Sequence, residues 1–120
     1  MQDKAILIVE DEADFRAGVA AVLEAAGYRV VEAEHGEAAL QSLRSAEQFC
    51  LILLDLFMPI MNGWRFRAEQ QQDSAMAGIP IVVLSAAADA NEHGADLGAV
   101  ATLSKPVDFT KLLEYVNRYC

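Results

Sequence analysis

Five short, nearly unbroken apolar runs punctuate this chain, and amphipathic segments separate them. The runs are KAILIV (residues 4–9), YRVVEA (28–33), CLILLDL (50–56), IPIVVLSA (79–86) and AVATLS (99–104). Each has strand length, and most are continuously apolar, as expected of strands buried on both faces. Between them, apolar positions recur at helical spacing. ADFRAGVAAVLEAAG (13–27) carries Phe15, Val19, Val22, Leu23 and Ala26 and ends at Gly27, a natural C′ residue. GEAALQSLRSA (36–46) reads as a short helix with Ala39, Leu40 and Leu43 inward. Asn62 is placed to cap a helix through WRFRAEQQQD (64–73), with Gly63 just inside it. Asp89 with Glu92 predicts a capping box for a further helix, weakened by Gly94. DFTKLLEYVNRYC (108–120) closes the chain with Phe109, Leu112, Leu113 and Val116 on one face. Five strands alternating with five helices predict an α/β fold, a doubly wound parallel sheet in one domain over residues 1–120.

The ends of the strands break the apolar pattern. The first run leads into Glu10-Asp11-Glu12, the third contains Asp55, the fourth reaches Ser85, and the fifth leads into Lys105-Pro106. Asp55 is the hardest to explain, because a carboxylate that follows four buried aliphatic residues must find partners or do chemistry. In parallel sheets, ligands bind beyond the carboxyl ends of the strands, so these groups are expected to meet at one rim. Several carboxylates in one place repel unless a cation neutralises them, and a hard divalent ion such as Mg²⁺ suits their oxygens. A lysine opposite offers a point charge for phosphate oxygens, and a serine hydroxyl offers a donor. The set fits phosphoryl transfer, with Asp55 as the attacking carboxylate.

Taken singly, these residues have duller readings. The acidic run could simply favour the first helix dipole. Ser85 could be a loop hydroxyl, and Lys105 a solvated surface lysine. Trp64 reads as a packing residue, His35 before Gly36 as a turn or capping residue, and His93 carries no assigned role. Together the dull readings require several coincidences at one rim, and the functional reading prevails.

Composition narrows the classes. The formal charge of −9 argues against a nucleic-acid surface, which needs a cationic footprint. No stretch approaches a transmembrane helix. The first residues do not read as a secretory signal. The sequence leaves open whether Cys50 and Cys120 pair. Two cysteines so far apart form neither a disulfide framework nor a metal motif, which points to a reduced, cytoplasmic setting.

The stretches ILIVEDE, LILLDLFMPIMNGW, IPIVVLSA and LSKP, in this order and spacing, resemble the receiver domain of two-component response regulators, including the single-domain chemotaxis type. The resemblance runs nearly the full length and implies a flavodoxin-like sheet of order 2-1-3-4-5. Position by position, it implies Asp55 as phosphoacceptor and Asp11 as a direct Mg²⁺ ligand, with Glu10 acting through water. It further implies the backbone carbonyl of Phe57 as a metal ligand, Ser85 as the switch hydroxyl, and Lys105 in a cis bond to Pro106. The implied donors are a sensor histidine kinase, a histidine phosphotransfer protein or small acyl phosphates. The output would be a downstream protein target, with no direct nucleic acid and no membrane partner.

Two positions depart from that pattern. Thr102 stands where the family carries Tyr or Phe, and Val107 stands where Phe is common. The expected consequence is an altered output switch with phosphorylation retained. Phe57 and Ala87, at positions that tune dephosphorylation, cannot orient a water by hydrogen bonding, so self-hydrolysis is expected to be slow. Rival readings are a phosphatase of the haloacid dehalogenase type, a receiver-like docking module, and a receiver cut from a larger regulator or hybrid kinase. The first lacks the general acid that its Asp-x-Asp pattern would put at Phe57.

Overall fold

The structure, a computed structural model, describes residues 4–58, 61–86 and 94–120. Five strands form one parallel sheet: β1 (Ala5–Val9), β2 (Arg29–Ala33), β3 (Phe49–Asp55), β4 (Ile81–Ser85) and β5 (Ala101–Ser104). Their order is β2-β1-β3-β4-β5, which is the order the resemblance implies. Helices α1 (Ala13–Ala25), α2 (Gly36–Leu43) and α3 (Gly63–Gln71), helical residues 94–96 and a closing helix (Phe109–Tyr119) make up the helical segments.

Strand alternation explains the two layers. On one face Leu7, Val9, Ile52, Leu54, Ile81 and Val83 pack with residues of α2 and α3. On the other, Ile6, Ile8, Leu53, Val82 and Leu84 pack with Val19 and Leu23 of α1 and with Leu112 and Val116 of the closing helix. All of β1, β3 and β4 is buried, and each large aliphatic side chain so buried contributes about 1.5–3 kcal/mol. That core fixes where the strands end, and the strand ends carry the polar residues.

Local signals behave largely as their chemistry dictates. Asn62 Oδ1 accepts from the Arg65 N–H at 3.0 Å, and His35 Nδ1 accepts from the Ala38 N–H at 3.1 Å, so both residues cap helices. Gly27 takes a positive φ of 96° beyond the end of α1. The inward faces are narrower than the periodicity suggests. Ala26 is exposed, and so is Phe109, because the closing helix turns its buried face around Leu112 and Val116. The capping pair Asp89 and Glu92, together with His93 and Ala87, lies outside the described residues. Gly94 has a packing reason: the Thr102 hydroxyl fills the space a Cβ would take.

The cysteines correct the reduced-thiol expectation. Cys50 and Cys120 are joined in a disulfide, their Cα atoms 5.4 Å apart. Pairing between β1 and β3 slips by one residue, Ala5 facing Phe49 but Ile6 facing Leu51, so Cys50 falls outside the ladder. The slip turns Cys50 to the same face as Leu51, where the end of the closing helix also packs. A periodicity argument cannot foresee such a slip. The bond spans a sequence separation of 70 residues, and closing a loop that long constrains the unfolded chain by about 4 kcal/mol in the chain-entropy account. Reduction, or Cys120→Ser, is therefore expected to lower the thermal midpoint by about 15 °C. Calorimetry with and without reductant checks this, and an unchanged midpoint would refute it.

Candidate functional site

The strand ends converge as the sequence predicts. Glu10 follows β1, Asp55 ends β3, Ser85 ends β4, and Lys105 follows β5. Glu10, Asp55 and Ser85 are buried, whereas Asp11 lies exposed at the lip. One carboxylate oxygen each from Glu10, Asp11 and Asp55 lies within 4.8 Å of the others. Lys105 Nζ donates to Glu10 Oε1 at 2.6 Å and stands 3.8 Å from Asp55 Oδ2. The Lys105 backbone N–H donates to the Ser85 carbonyl at 2.9 Å, and the Lys105-Pro106 bond is cis.

Several supports escaped the sequence reading. Arg16 donates through Nη1 to the Glu10 carbonyl at 2.7 Å and through Nε to Glu32 Oε1 at 3.1 Å, tying α1 to the ends of β1 and β2. Glu10 Oε2 accepts from the Glu12 N–H at 3.1 Å. Phe15 on the first turn of α1 presents its ring to the Lys105 ammonium, 4.4 Å from the centroid. Gly63 lets α3 begin against β3, since a Cβ there would meet Leu56 Cα at 2.9 Å and the Asp55 carbonyl at 3.1 Å. No periodic pattern marks any of these, because each depends on contact between separate elements. Gly63 alone had a local signal, a glycine directly after a capping Asn.

Around the rim, Phe57 is 54% exposed and packs edge-on against Trp64, ring centroids 5.3 Å apart. Its N–H lies 3.4 Å from Asp55 Oδ1. Thr102 is half-buried on β5, which leaves no aromatic ring on that position to swing inward.

Electrostatics follow from crowding. Burial first, then the neighbouring Glu10 charge, raises Asp55 to about 7 despite Lys105. Asp11 is raised first by desolvation, then by its hydrogen bond with Glu10 and by the Glu10 charge. Burial opposes ionisation of Glu10 as well, but the Lys105 hydrogen bond and the Glu12 N–H outweigh it, and Glu10 is lowered. The fit to a metal rests on this donor set. Oxygens around an octahedral ion with bonds near 2.1 Å lie about 3–4 Å apart, so a small inward adjustment of the three carboxylates suffices. They have the hardness and charge for Mg²⁺.

A doubly wound α/β sheet with an acid triad and a lysine at its carboxyl rim defines a class of protein, and comparison places the chain within it. A family profile described as the response regulator receiver domain matches residues 6–117, so the chain belongs to the receiver family of two-component signalling. Receiver domains are switch modules. Protein PilH of Pseudomonas aeruginosa is 31% identical over 114 residues, spanning 93% of each chain. A response regulator receiver protein from Pseudomonas putida superposes with a TM-score of 0.90 at 31% identity, covering 98% of each chain. The receiver domain of the sensor histidine kinase PA1611 from Pseudomonas aeruginosa, with magnesium coordinated in its active-site cleft, gives 0.86 at 26% identity over 98% of each chain. Against three further curated relatives, the chain spans only 43%, 51% and 47% of their length. No helix of the described residues is long and apolar enough to cross a membrane.

The raised Asp55 carries a stability consequence. A carboxyl near 3.9 when unfolded and about 7 when folded makes the folded chain the better proton binder between those values. Its contribution therefore turns unfavourable as pH rises from about 4 to about 7. Asp55→Asn is expected to stabilise the metal-free protein at pH 8 by roughly 2 kcal/mol, and by almost nothing at pH 4. Denaturant titrations at both values check this, and equal effects would overturn it.

Proposed function

We propose that Asp55 accepts a phosphoryl group from a phosphohistidine on a sensor histidine kinase or phosphotransfer protein, or from a small acyl phosphate. A carboxylate oxygen of Asp55 attacks phosphorus, the donor's N–P or O–P bond breaks, and an aspartyl phosphate forms. The observation that carries the reading is the meeting of Asp55, Glu10, Asp11 and Lys105 at one rim, three acids and one ammonium where charge would otherwise be unfavourable. Glu10, Asp11, Asp55 and the Phe57 carbonyl would hold Mg²⁺, which when bound supplies charge neutralisation for the phosphoryl oxygens. Lys105 would offer its ammonium to the phosphoryl oxygens, and Ser85 its hydroxyl.

The added group brings about two negative charges to the rim. It shifts the balance between two forms only through contacts that differ between them, here with Ser85 and Lys105. Residues 1–120 act in this reading as one receiver domain in the cytoplasm, where the modified form engages a downstream protein target. The only reaction is the domain's own phosphorylation and slow dephosphorylation. The Cys50–Cys120 bond, rare in that compartment, closes there under oxidising conditions.

Intact mass after incubation with acetyl phosphate and Mg²⁺ tests this. One added phosphoryl group is expected in the parent and none in Asp55→Asn or without Mg²⁺. The Phe57 side chain offers no hydrogen bond for an attacking water, so the group is expected to persist for minutes or longer; loss within seconds counts against that. A parent that takes up nothing even from a phosphorylated histidine donor points instead to a docking module.

The second expectation concerns output. Thr102 packs its hydroxyl against Gly94 and cannot perform the inward swing of an aromatic ring. Structures of the free and beryllofluoride-bound protein are expected to differ at Ser85 while the surface around β5 and the closing helix keeps its arrangement. The usual displacement of that surface would sink the idea.

A further inference from the structure

Lys105 has a third neighbour that the phosphoacceptor reading does not use. Its ammonium meets Glu10 Oε1 at 2.6 Å, Asp55 Oδ2 at 3.8 Å and the Phe15 ring at 4.4 Å from the centroid. The first two partners are also carboxylates of the acid triad. Any divalent cation that draws on their oxygens competes with Lys105 for them. A ring face is no ligand for a hard, oxygen-seeking cation, so it continues to attract the ammonium when the carboxylates turn away. Phe15 is well placed for this, half-buried at the start of α1 and packed against the core beneath that helix. Its attraction has little directional demand, so the ammonium can pivot from Glu10 toward Asp55 without leaving the ring.

We propose that Phe15 is a positioning residue for Lys105, its ring holding the ammonium at the rim while Glu10 and Asp55 exchange it for metal and phosphoryl group. The inference rests on the phosphoacceptor reading for its consequence and on the Phe15–Lys105 contact for its substance. A simpler role, apolar packing against the lysine stem, would be served equally by leucine.

The test uses Phe15→Leu, Phe15→Tyr, Lys105→Met and the Phe15→Leu/Lys105→Met double variant. With acetyl phosphate and saturating Mg²⁺, Phe15→Leu is expected to slow phosphorylation about three- to tenfold, the range of a partly desolvated cation–π contact. Phe15→Tyr, which keeps the ring face, is expected to restore the parent rate. In the Lys105→Met background, Phe15→Leu should change nothing further. Leucine matching the parent, tyrosine failing to rescue, or an equal loss without the lysine each overturns the proposal. Thermal unfolding of parent, both single variants and the double variant gives a readout independent of phosphorylation. Coupling between the two positions is expected, and additivity overturns the proposal. If the parent takes up no phosphoryl group, the phosphoacceptor reading fails on its own, and the unfolding cycle still decides whether Phe15 holds Lys105.

Discussion

Mutual repulsion of Glu10, Asp11 and Asp55 at one rim is the constraint on which the rest of this structure depends. Two of the three are buried, where an unbalanced charge costs several kcal/mol. Lys105 offsets part of that cost, yet Asp55 remains raised to about 7. The repulsion in a site balanced in this way is of the kind an added cation would relieve. The same imbalance that penalises the bare protein makes the rim receptive.

Holding such groups together requires a rigid support, and the sheet supplies it. The three central strands are buried along their whole length, so their carboxyl ends do not slide relative to one another. Backbone contacts refine the positions: Arg16 holds the Glu10 carbonyl, and Gly63 allows α3 to start directly beneath Asp55. Hydrophobic burial sets the frame, and a few polar contacts between elements aim the side chains.

The sequence disclosed the frame well because both of its periods are local. Strand runs, the caps at Asn62 and His35, and the polar residue at each strand end could all be read one segment at a time. What escaped depends on where separate segments meet. Phe15 beside Lys105, Arg16 on the Glu10 carbonyl, and Cys50 turned toward Cys120 by a one-residue slip in pairing are tertiary facts. Ala26 and Phe109 erred in the opposite sense, since an apolar residue at helical spacing need not lie on the stripe the neighbours cover.

Arg67 carries this lesson furthest. A charged residue by type, it nevertheless lies on the buried stripe of α3 with Gly63, Phe66 and Gln70, and among the described residues its partners are the Leu97 carbonyl at 2.9 Å and Gln70 Oε1 at 2.8 Å. Gln70 in turn donates to the carbonyls of Met76 and Ile79. Burial lowers the arginine's pKa, but a guanidinium keeps its charge, so its hydrogen bonds cannot be given up cheaply; each to a charged donor is worth about 1.5–3 kcal/mol. The network joins α3, which starts beneath Asp55, to the segment around Leu97 that leads into β5. On the far side of that segment Gly94 packs against Thr102. Displacing the segment would have to break a buried charged contact on one side and reopen a filled space on the other. The surface beside β5 is therefore tied to α3 by a buried charged contact, which an isolated helix would not have.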